Sequence, residues 1–178
     1  MKILLHICCA VCATSVIERL KSEGWEVEGY FYNPNIHPRE EYKNRLENTK
    51  FLLDEIDISM VESEYEPEKW FHEVRGFERE KEGGKRCQIC FKMRLSKTLE
   101  AARKRNIHYF ATTLTVSPHK KSTLINRIGR DLGGESFILE DFKKRDGFKR
   151  AMQLSRKYNL YRQNYCGCIF SKSHQKSR

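Results

Sequence analysis

The first 24 residues join a short apolar run to a helical pattern, and this pair restricts the fold more than any other feature. The run "KILLHIC" (positions 2–8) has the length and apolar character of a buried strand. The next segment, "CATSVIERLKSEG", places Val16, Ile17 and Leu20 at helical spacing and ends at Gly24. A buried strand followed at once by an amphipathic helix is typical of a parallel sheet covered by helices.

The same order repeats along the chain. "WEVEGYFYNPN" alternates apolar and polar residues and breaks at Asn33-Pro34, as a strand entering a loop does. Further strands are predicted in "ISMVESEY" and "NIHYFATTLTV", and amphipathic helices in "PREEYKNRLENTKFLLDEI" and "KKSTLINRIGRDLGG". We therefore predict an α/β fold with a parallel sheet and helices on both faces. The length favours one domain over residues 1–178, with residues 170–178 as a frayed basic tail.

Composition restricts the compartment and the partner. Lys and Arg number 34 against 24 Asp and Glu, a formal charge of +10, which favours a polyanionic partner such as nucleic acid. Mean hydropathy is −0.72, and no apolar stretch approaches the ~20 residues that span a bilayer. We expect a cytoplasmic protein without a membrane partner. In that reducing compartment, cysteines bind metals or catalyse more often than they form disulfides.

Seven cysteines fall into three groups: Cys8, Cys9 and Cys12; Cys87 and Cys90; Cys166 and Cys168. A redox C-x-x-C pair would leave five of them without a role. Structural zinc or a four-thiolate iron–sulfur cluster would take four, and the other three could hold a second, open metal site. On extended chain, Cys8 and Cys9 would point in opposite directions and could serve two adjoining centres. "HICCAVC" lies after the first strand, where parallel sheets bind ligands.

Basic and aromatic residues suggest where nucleic acid would bind. "DFKKRDGFKR" (141–150) carries five cations interleaved with Phe142 and Phe148. "SPHKK" (117–121) follows the fourth predicted strand, where a helix N-terminus and lysines suit phosphates. "YFYNPN" offers aromatic rings on which unpaired bases could stack. Asp141 is a candidate proton donor or oxygen ligand, with an exposed carboxylate as the alternative.

Six stretches taken together resemble the QueH-type epoxyqueuosine reductases over essentially the whole chain. They are "LLHICCAVCATSVIERL", "FYNPNIHPREEY", "RCQICFKMRL", "TTLTVSPHKK", "INRIG" and "DFKKRDGFKRAMQLSRKYNLYRQNYCGCIFS". The resemblance implies a Rossmann-like sheet of the HUP type, with a helical C-terminal part carrying further metal ligands. It also implies a [4Fe–4S] cluster beside a mononuclear iron.

The substrate implied by the resemblance is tRNA with epoxyqueuosine at the wobble position, whose epoxide oxygen is removed to give queuosine. We expect an external electron donor, because no flavin or nicotinamide motif is visible. Cysteines replace the glycine- and serine-rich phosphate loop of ATP-using relatives, so we expect no ATP. The chain is too short for the cobalamin equipment of the unrelated enzymes that do the same reaction. We expect a monomer or weak oligomer.

The resemblance also leads to residue assignments. We expect Cys9, Cys87, Cys90 and one of Cys166 or Cys168 on the cluster, and Cys8, Cys12 and the remaining thiol on the iron. The expected catalytic residues are His119, Asp141 and Arg162. The expected contacts to the base or the tRNA are Tyr32, Asn33, His119, Lys120, Lys143, Lys144, Arg145 and Arg162. Two alternatives stay open at this point: a zinc-stabilised, non-catalytic RNA-binding module and a tRNA thiolation enzyme.

Overall fold

Four strands and seven α-helices make up the part of the chain that the structure describes. This computed structural model describes residues 1–175, and side chains as far as residue 172. The elements are β1 (Lys2–His6), α1 (Ala10–Ser22), β2 (Glu26–Phe31), α2 (Arg39–Glu55), β3 (Met60–Glu62), α3 (Pro67–Glu73), α4 (Lys85–Lys104), β4 (Tyr109–Thr112), α5 (Ser122–Gly133), α6 (Gly147–Lys157) and α7 (Ile169–Gln175). Short 3₁₀ turns cover Thr113–Val116 and Gly134–Ser136.

The four strands form one parallel sheet in the order β3-β2-β1-β4. The register pairs Ile3 of β1 with Val27 on one side and with Tyr109 on the other. The chain first moves outward from β1 through β2 to β3, then returns past α3 and α4 to add β4 on the opposite side of β1. The direction of strand addition therefore reverses between β1 and β4, and open parallel sheets bind ligands at such a reversal.

Alternation along β1 divides the core between the two faces of the sheet. Ile3 and Leu5 point to a cluster that contains Leu20 of α1 and Leu52 of α2. Leu4 points to the other face, where residues of α4 and α5 pack. The predicted α/β architecture, with helices on both faces of a parallel sheet, is confirmed. Among the described residues, no helix is long and apolar enough to cross a membrane.

Two predictions about element ends are wrong. The fourth strand stops at Thr112 and does not run to Val116, because the Thr112 hydroxyl accepts a hydrogen bond from Leu114 N (3.2 Å) and starts a 3₁₀ turn. The expected frayed tail is helical over Ile169–Gln175. Ser171 Oγ donates to Cys168 O (3.0 Å), and the Phe170 ring stacks on Trp70, so tertiary contacts hold this segment. Residues 176–178 lie outside the described part.

Candidate metal centre

Three thiols converge directly after β1. Cys8 lies in a bend, Cys9 is the extended residue before α1, and Cys12 is in the first turn of that helix. Their sulfur atoms all lie within 4.8 Å of one another, and the Cys8 and Cys9 sulfurs are 3.9 Å apart. The expectation that Cys8 and Cys9 point in opposite directions is therefore wrong. The strand ends at His6, and strand alternation no longer applies in the bend that follows.

Cys8 lies where β1 and β4 diverge. Its backbone N–H donates to Thr113 Oγ1 (3.2 Å), and the Thr113 hydroxyl donates in turn to Cys8 Sγ (3.4 Å). The Cys12 and Cys9 thiols hydrogen-bond to Cys8, and these contacts, with the nearby Lys120 ammonium, hold the pKa of Cys8 well below its usual value despite burial. The thiolate form is the one that binds metals, so the strand-order reversal presents a ready ligand.

The C-terminal segment also reaches this group of three thiols. Gln163 Nε2 donates a hydrogen bond of 2.8 Å to Cys9 Sγ, although 154 positions separate the two residues. Cys9 itself is buried, with 1% of its surface exposed. An amide N–H directed at a sulfur atom is a typical second contact around a metal-binding thiolate.

The other four cysteines line a second, small pocket. Cys87 and Cys90 belong to the first two turns of α4, and Cys166 and Cys168 lie in the loop between α6 and α7. The volume of this pocket is about 20 Å³. Gly167 has φ +106°, and a Cβ there would lie 2.9 Å from Ile36 Cγ1. Only glycine allows the tight turn that brings Cys166 and Cys168 to the same pocket.

Several buried polar groups face this pocket without a partner among the described residues. They include Trp70 Nε1, Arg86 Nε and Nη2, and Asn35 Oδ1. Arg86 and Arg94 are buried cations on its wall, with 1% and 3% of their surfaces exposed. Unpaired buried donors are costly and rare in native structures. Two guanidinium groups and an indole N–H around four thiols suit an anionic metal–thiolate group.

Arg45 ties the Cys166 loop to α2. Its Nη2 donates to Tyr165 O (3.0 Å), its Nη1 to Cys166 O (3.3 Å), and its Nε to Glu41 Oε1 (2.7 Å). Only 2% of the Arg45 surface is exposed. Burial would lower the pKa of Arg45, but the Cys9 thiol and Glu41 outweigh it and raise the pKa. The loop that carries two cysteines is thus held by a charged side chain.

A cavity of about 750 Å³ opens over the first thiol group. Its wall includes Cys8, Cys12 and Cys166, so Cys166 borders both this cavity and the small pocket. Lys120 lines the cavity as well. Burial would lower the pKa of Lys120, but Cys166, Cys8 and Cys12 outweigh it and raise the pKa. The two groups of thiols therefore adjoin, with one ammonium facing both.

Comparison with known proteins gives a consistent result. The model of the family described as "Epoxyqueuosine reductase QueH" matches residues 3–174. A protein of that name from Streptococcus pyogenes is 39% identical, over 95% of this chain and 69% of its own length. Proteins of the same name from Staphylococcus epidermidis and Thermotoga maritima are 38% and 35% identical, over 96% and 95% of this chain and 76% and 89% of their own.

The chain belongs to the epoxyqueuosine reductase QueH family. Within this family member, seven free thiols are divided into a group of three and a group of four. The sequence-based assignment grouped Cys9 with Cys87 and Cys90. In the structure, Cys9 lies instead with Cys8 and Cys12. The reason is the bend at Cys8, which turns both adjacent thiols to the same side.

The residues expected to contact the substrate are divided by the structure. His119, Lys120 and Arg162 line the cavity. Tyr32 and Asn33 do not, because both are buried and internally paired. The Tyr32 hydroxyl donates to Glu66 Oε2 (2.9 Å), while Asn33 Nδ2 donates to Ile7 O (2.8 Å) and its Oδ1 accepts from Arg94 (3.4 Å). Asn33 therefore supports a wall of the four-thiol pocket.

The basic run 141–150 takes mainly structural positions. Asp141 accepts from Ser122 Oγ (2.8 Å) and pairs with Lys143 Nζ (2.9 Å), so its carboxylate holds the start of α5 and does not line the cavity. Lys143 also donates to two backbone carbonyls. Lys144 and Arg145 are exposed and lie outside the cavity wall, and Arg145 pairs with Glu23 (3.6 Å).

Sequence reasoning missed three residues of the site: Arg45, Glu82 and Gln163. Glu82 lines the cavity, where desolvation and the nearby Cys166 thiol raise the pKa of its carboxyl. Gln163 stands three residues before Cys166, and that closeness was its one available signal. Arg45 lies in the middle of a helix rich in charged residues, and nothing in its local pattern distinguished it from a solvent-exposed cation.

Proposed function

We propose that the protein is an epoxyqueuosine reductase that removes the epoxide oxygen of epoxyqueuosine in tRNA and leaves queuosine. The observation that carries the proposal is that a group of three thiols and a group of four thiols lie next to each other beside a cation-lined cavity, in a chain of this family. The chemistry requires two electrons and two protons, and the displaced oxygen leaves as water. A cytoplasmic protein acting as one domain, alone or as a weak oligomer, is part of the proposal.

The donor sets suit two different metal centres. Cys87, Cys90, Cys166 and Cys168 would hold a [4Fe–4S] cluster, since four thiolates are its usual ligands and the unpaired donors of Trp70 and Arg86 can bond to its sulfur atoms. All four of these thiols line the same small pocket.

The group of three would hold a mononuclear iron. Cys8, Cys9 and Cys12 offer three sulfurs, and the cavity beside them leaves room for a further ligand. Three protein ligands with an open position are typical of catalytic metal sites. When bound, the two centres supply electrons received one at a time from an external donor, together with a Lewis acid for the epoxide oxygen.

The chain's own residues would bind the substrate and supply protons. Lys120 and His119 line the cavity as cations or proton donors, and Arg162 stands at the same wall to pair with a phosphate. Glu82, which lines the same cavity, would be a second proton source. The cavity volume of about 750 Å³ lies in the range of pockets that bind small molecules, so a nucleoside-sized group would fit.

The test is an anaerobic assay on a tRNA or stem–loop containing epoxyqueuosine, followed by mass spectrometry of the nucleoside. We expect the loss of one oxygen mass, and about five irons per chain for a cluster plus one iron. A colourless protein that binds only zinc after anaerobic reconstitution, yet binds RNA, would replace the proposal with a zinc-stabilised binding module. ATP-dependent incorporation of sulfur into the tRNA would replace it with a thiolation enzyme.

A further inference from the structure

One exposed aromatic ring lies on the cavity wall. Seven large hydrophobic side chains are exposed among the described residues: Met1, Phe51, Phe71, Leu139, Phe148, Tyr161 and Ile169. Of these, Phe148 is the one that lines the cavity, with 38% of its surface exposed. The exposed part of this ring is available for contact with a ligand that enters the cavity.

The backbone holds Phe148 in this place. Gly147, the first residue of α6, approaches Phe142 O so closely that a Cβ would lie 1.8 Å from that oxygen. Asp146 before it has φ +57°, so the turn into the helix is a sharp one. Phe142 fills the core, with 2% of its surface exposed and Arg19 over its ring. The two phenylalanines of the basic run therefore differ, because Phe142 packs internally and Phe148 faces the cavity.

The groups around Phe148 suit a flat, electron-rich ligand. Met152 follows one helical turn later and lines the same cavity, and Arg162 Nη2 lies 3.5 Å from its sulfur atom. An aromatic face, a thioether and a guanidinium plane at one opening are groups on which nucleobases stack. His119 and Lys120 on the same wall, with the net charge of +10, favour the phosphates of RNA over a neutral ligand.

We propose that Phe148 is the surface on which the nucleobase of the substrate RNA stacks when it enters the cavity, with the Arg162 guanidinium beside it. This proposal rests on the proposed function, since it names how that substrate is held. A base must leave its neighbours to reach the thiols, and stacking on a protein ring offsets part of the lost stacking. The contact is sequence-tolerant, because every base has a π-face.

The test compares two stem–loops that differ only at the wobble position, one with a guanine and one abasic. Binding to the anaerobic, metal-loaded protein is measured by fluorescence anisotropy. We expect the wild type to bind the base-containing RNA roughly 5- to 150-fold more tightly than the abasic one. In Phe148→Ala and Phe148→Leu this ratio should approach one, while Phe148→Trp should keep it. Phe148→Leu retains apolar contact without a ring, so it separates stacking from packing.

Phe51→Ala removes a ring of α2 that lies outside the cavity wall and is more exposed than Phe148 (48% against 38%), so it serves as the control and should leave the ratio unchanged. An unchanged ratio in a folded, metal-loaded Phe148→Leu protein overturns the inference, even if the wild type reduces epoxyqueuosine. A protein that discriminates the abasic RNA through Phe148 but never removes the epoxide oxygen would instead refute the proposed function. The two failures are therefore distinguishable.

Discussion

The three thiols after β1 and the four thiols shared by α4 and the α6–α7 loop differ in the size of the space that they border and in the charged groups around them. Cys8 and Cys12 are half-buried and face a cavity of about 750 Å³. The group of four lines a pocket of about 20 Å³, surrounded by Arg86, Arg94 and Trp70. Open coordination is typical of catalytic metal sites and closed coordination of structural or electron-transfer sites. One chain thus offers both kinds of environment side by side.

The two regions also differ in what holds them. Backbone geometry positions the first group, because the turn from β1 into α1 carries all three thiols within five residues. Side-chain contacts from distant elements position the second, since Arg45 of α2 fixes the carbonyls of Tyr165 and Cys166. The first site is accordingly a local product of the sheet, while the second depends on tertiary packing.

Replacing single cysteines is the strongest way to break the comparison. Under the proposed function, Cys90→Ser should abolish the iron–sulfur absorbance and all turnover, because it would remove one of the four thiolates that hold the cluster. Cys12→Ser should retain that absorbance but lose about one iron per chain and most of the turnover. Iron analysis and anaerobic absorption spectra distinguish the two variants.

Cys9→Ser decides where the boundary between the groups lies. If Cys9 belongs with Cys8 and Cys12, the variant should behave like Cys12→Ser. Loss of the iron–sulfur absorbance in Cys9→Ser would contradict the grouping by geometry and assign Cys9 to the cluster.

Arg45 tests whether the four-thiol region depends on packing. Arg45→Met leaves the buried Glu41 without its ion pair and two carbonyls without donors, so we expect a loss of about 3–5 kcal/mol in the free energy of unfolding. Lys50 also belongs to α2, and Lys50→Met breaks its exposed pair with Glu62 of β3. This change should cost about 1 kcal/mol or less in the free energy of unfolding. Denaturant titration of both variants measures the change in the free energy of unfolding. Equal losses would show that the Arg45 contacts contribute no more than a surface pair.

Replacing Trp70 should have the smallest effect of these changes, and this effect should be confined to metal binding at the four-thiol pocket. Trp70→Phe keeps the ring contacts with His37 and Phe170 but removes the unpaired indole N–H beside the four thiols. We expect metal release to a chelator about 10- to 100-fold faster, since outer donors of this kind strengthen metal binding. Trp25→Phe, at the half-buried Trp25–Tyr109 contact, should change nothing. Identical metal-release rates in the wild type and Trp70→Phe would show that the indole N–H does not contribute to metal binding.

Local patterns predicted much of the architecture. The run from Lys2 to His6 and the helix after it came directly from apolar periodicity, because strand and helix repeats are properties of neighbouring residues. The short β3 and the long α2 were recognised for the same reason. The direction of the Cys8 side chain was not predicted correctly, because it depends on one bend after the strand and not on a repeat.

The site residues also divide into those with a local sequence signal and those whose positions depend on distant contacts. His119 and Lys120 line the cavity, as expected for residues that follow a strand ending at the ligand edge of the sheet. Asp141 and Tyr32 lie outside the cavity wall, because Asp141 pairs with Ser122 and Tyr32 with Glu66. Arg45 was not found, because the carbonyls of Tyr165 and Cys166 that it binds lie more than 100 residues away in the chain. The partner of Gln163, Cys9, is also distant, and the closeness of Gln163 to Cys166 in the chain was the one signal for it.

The sequence by itself determined the four strands, the helices α1, α2 and α5, the position of the first thiol group at a strand end, and the family. Only the tertiary structure decided that Cys87 and Cys90 share a pocket with Cys166 and Cys168, that Cys9 stays with its neighbours, and that Phe148 rather than Phe142 faces the cavity. Local periodicity reports which side of an element is apolar. Which distant elements meet on that side is settled by packing, where strand order, a glycine turn and a buried arginine act together.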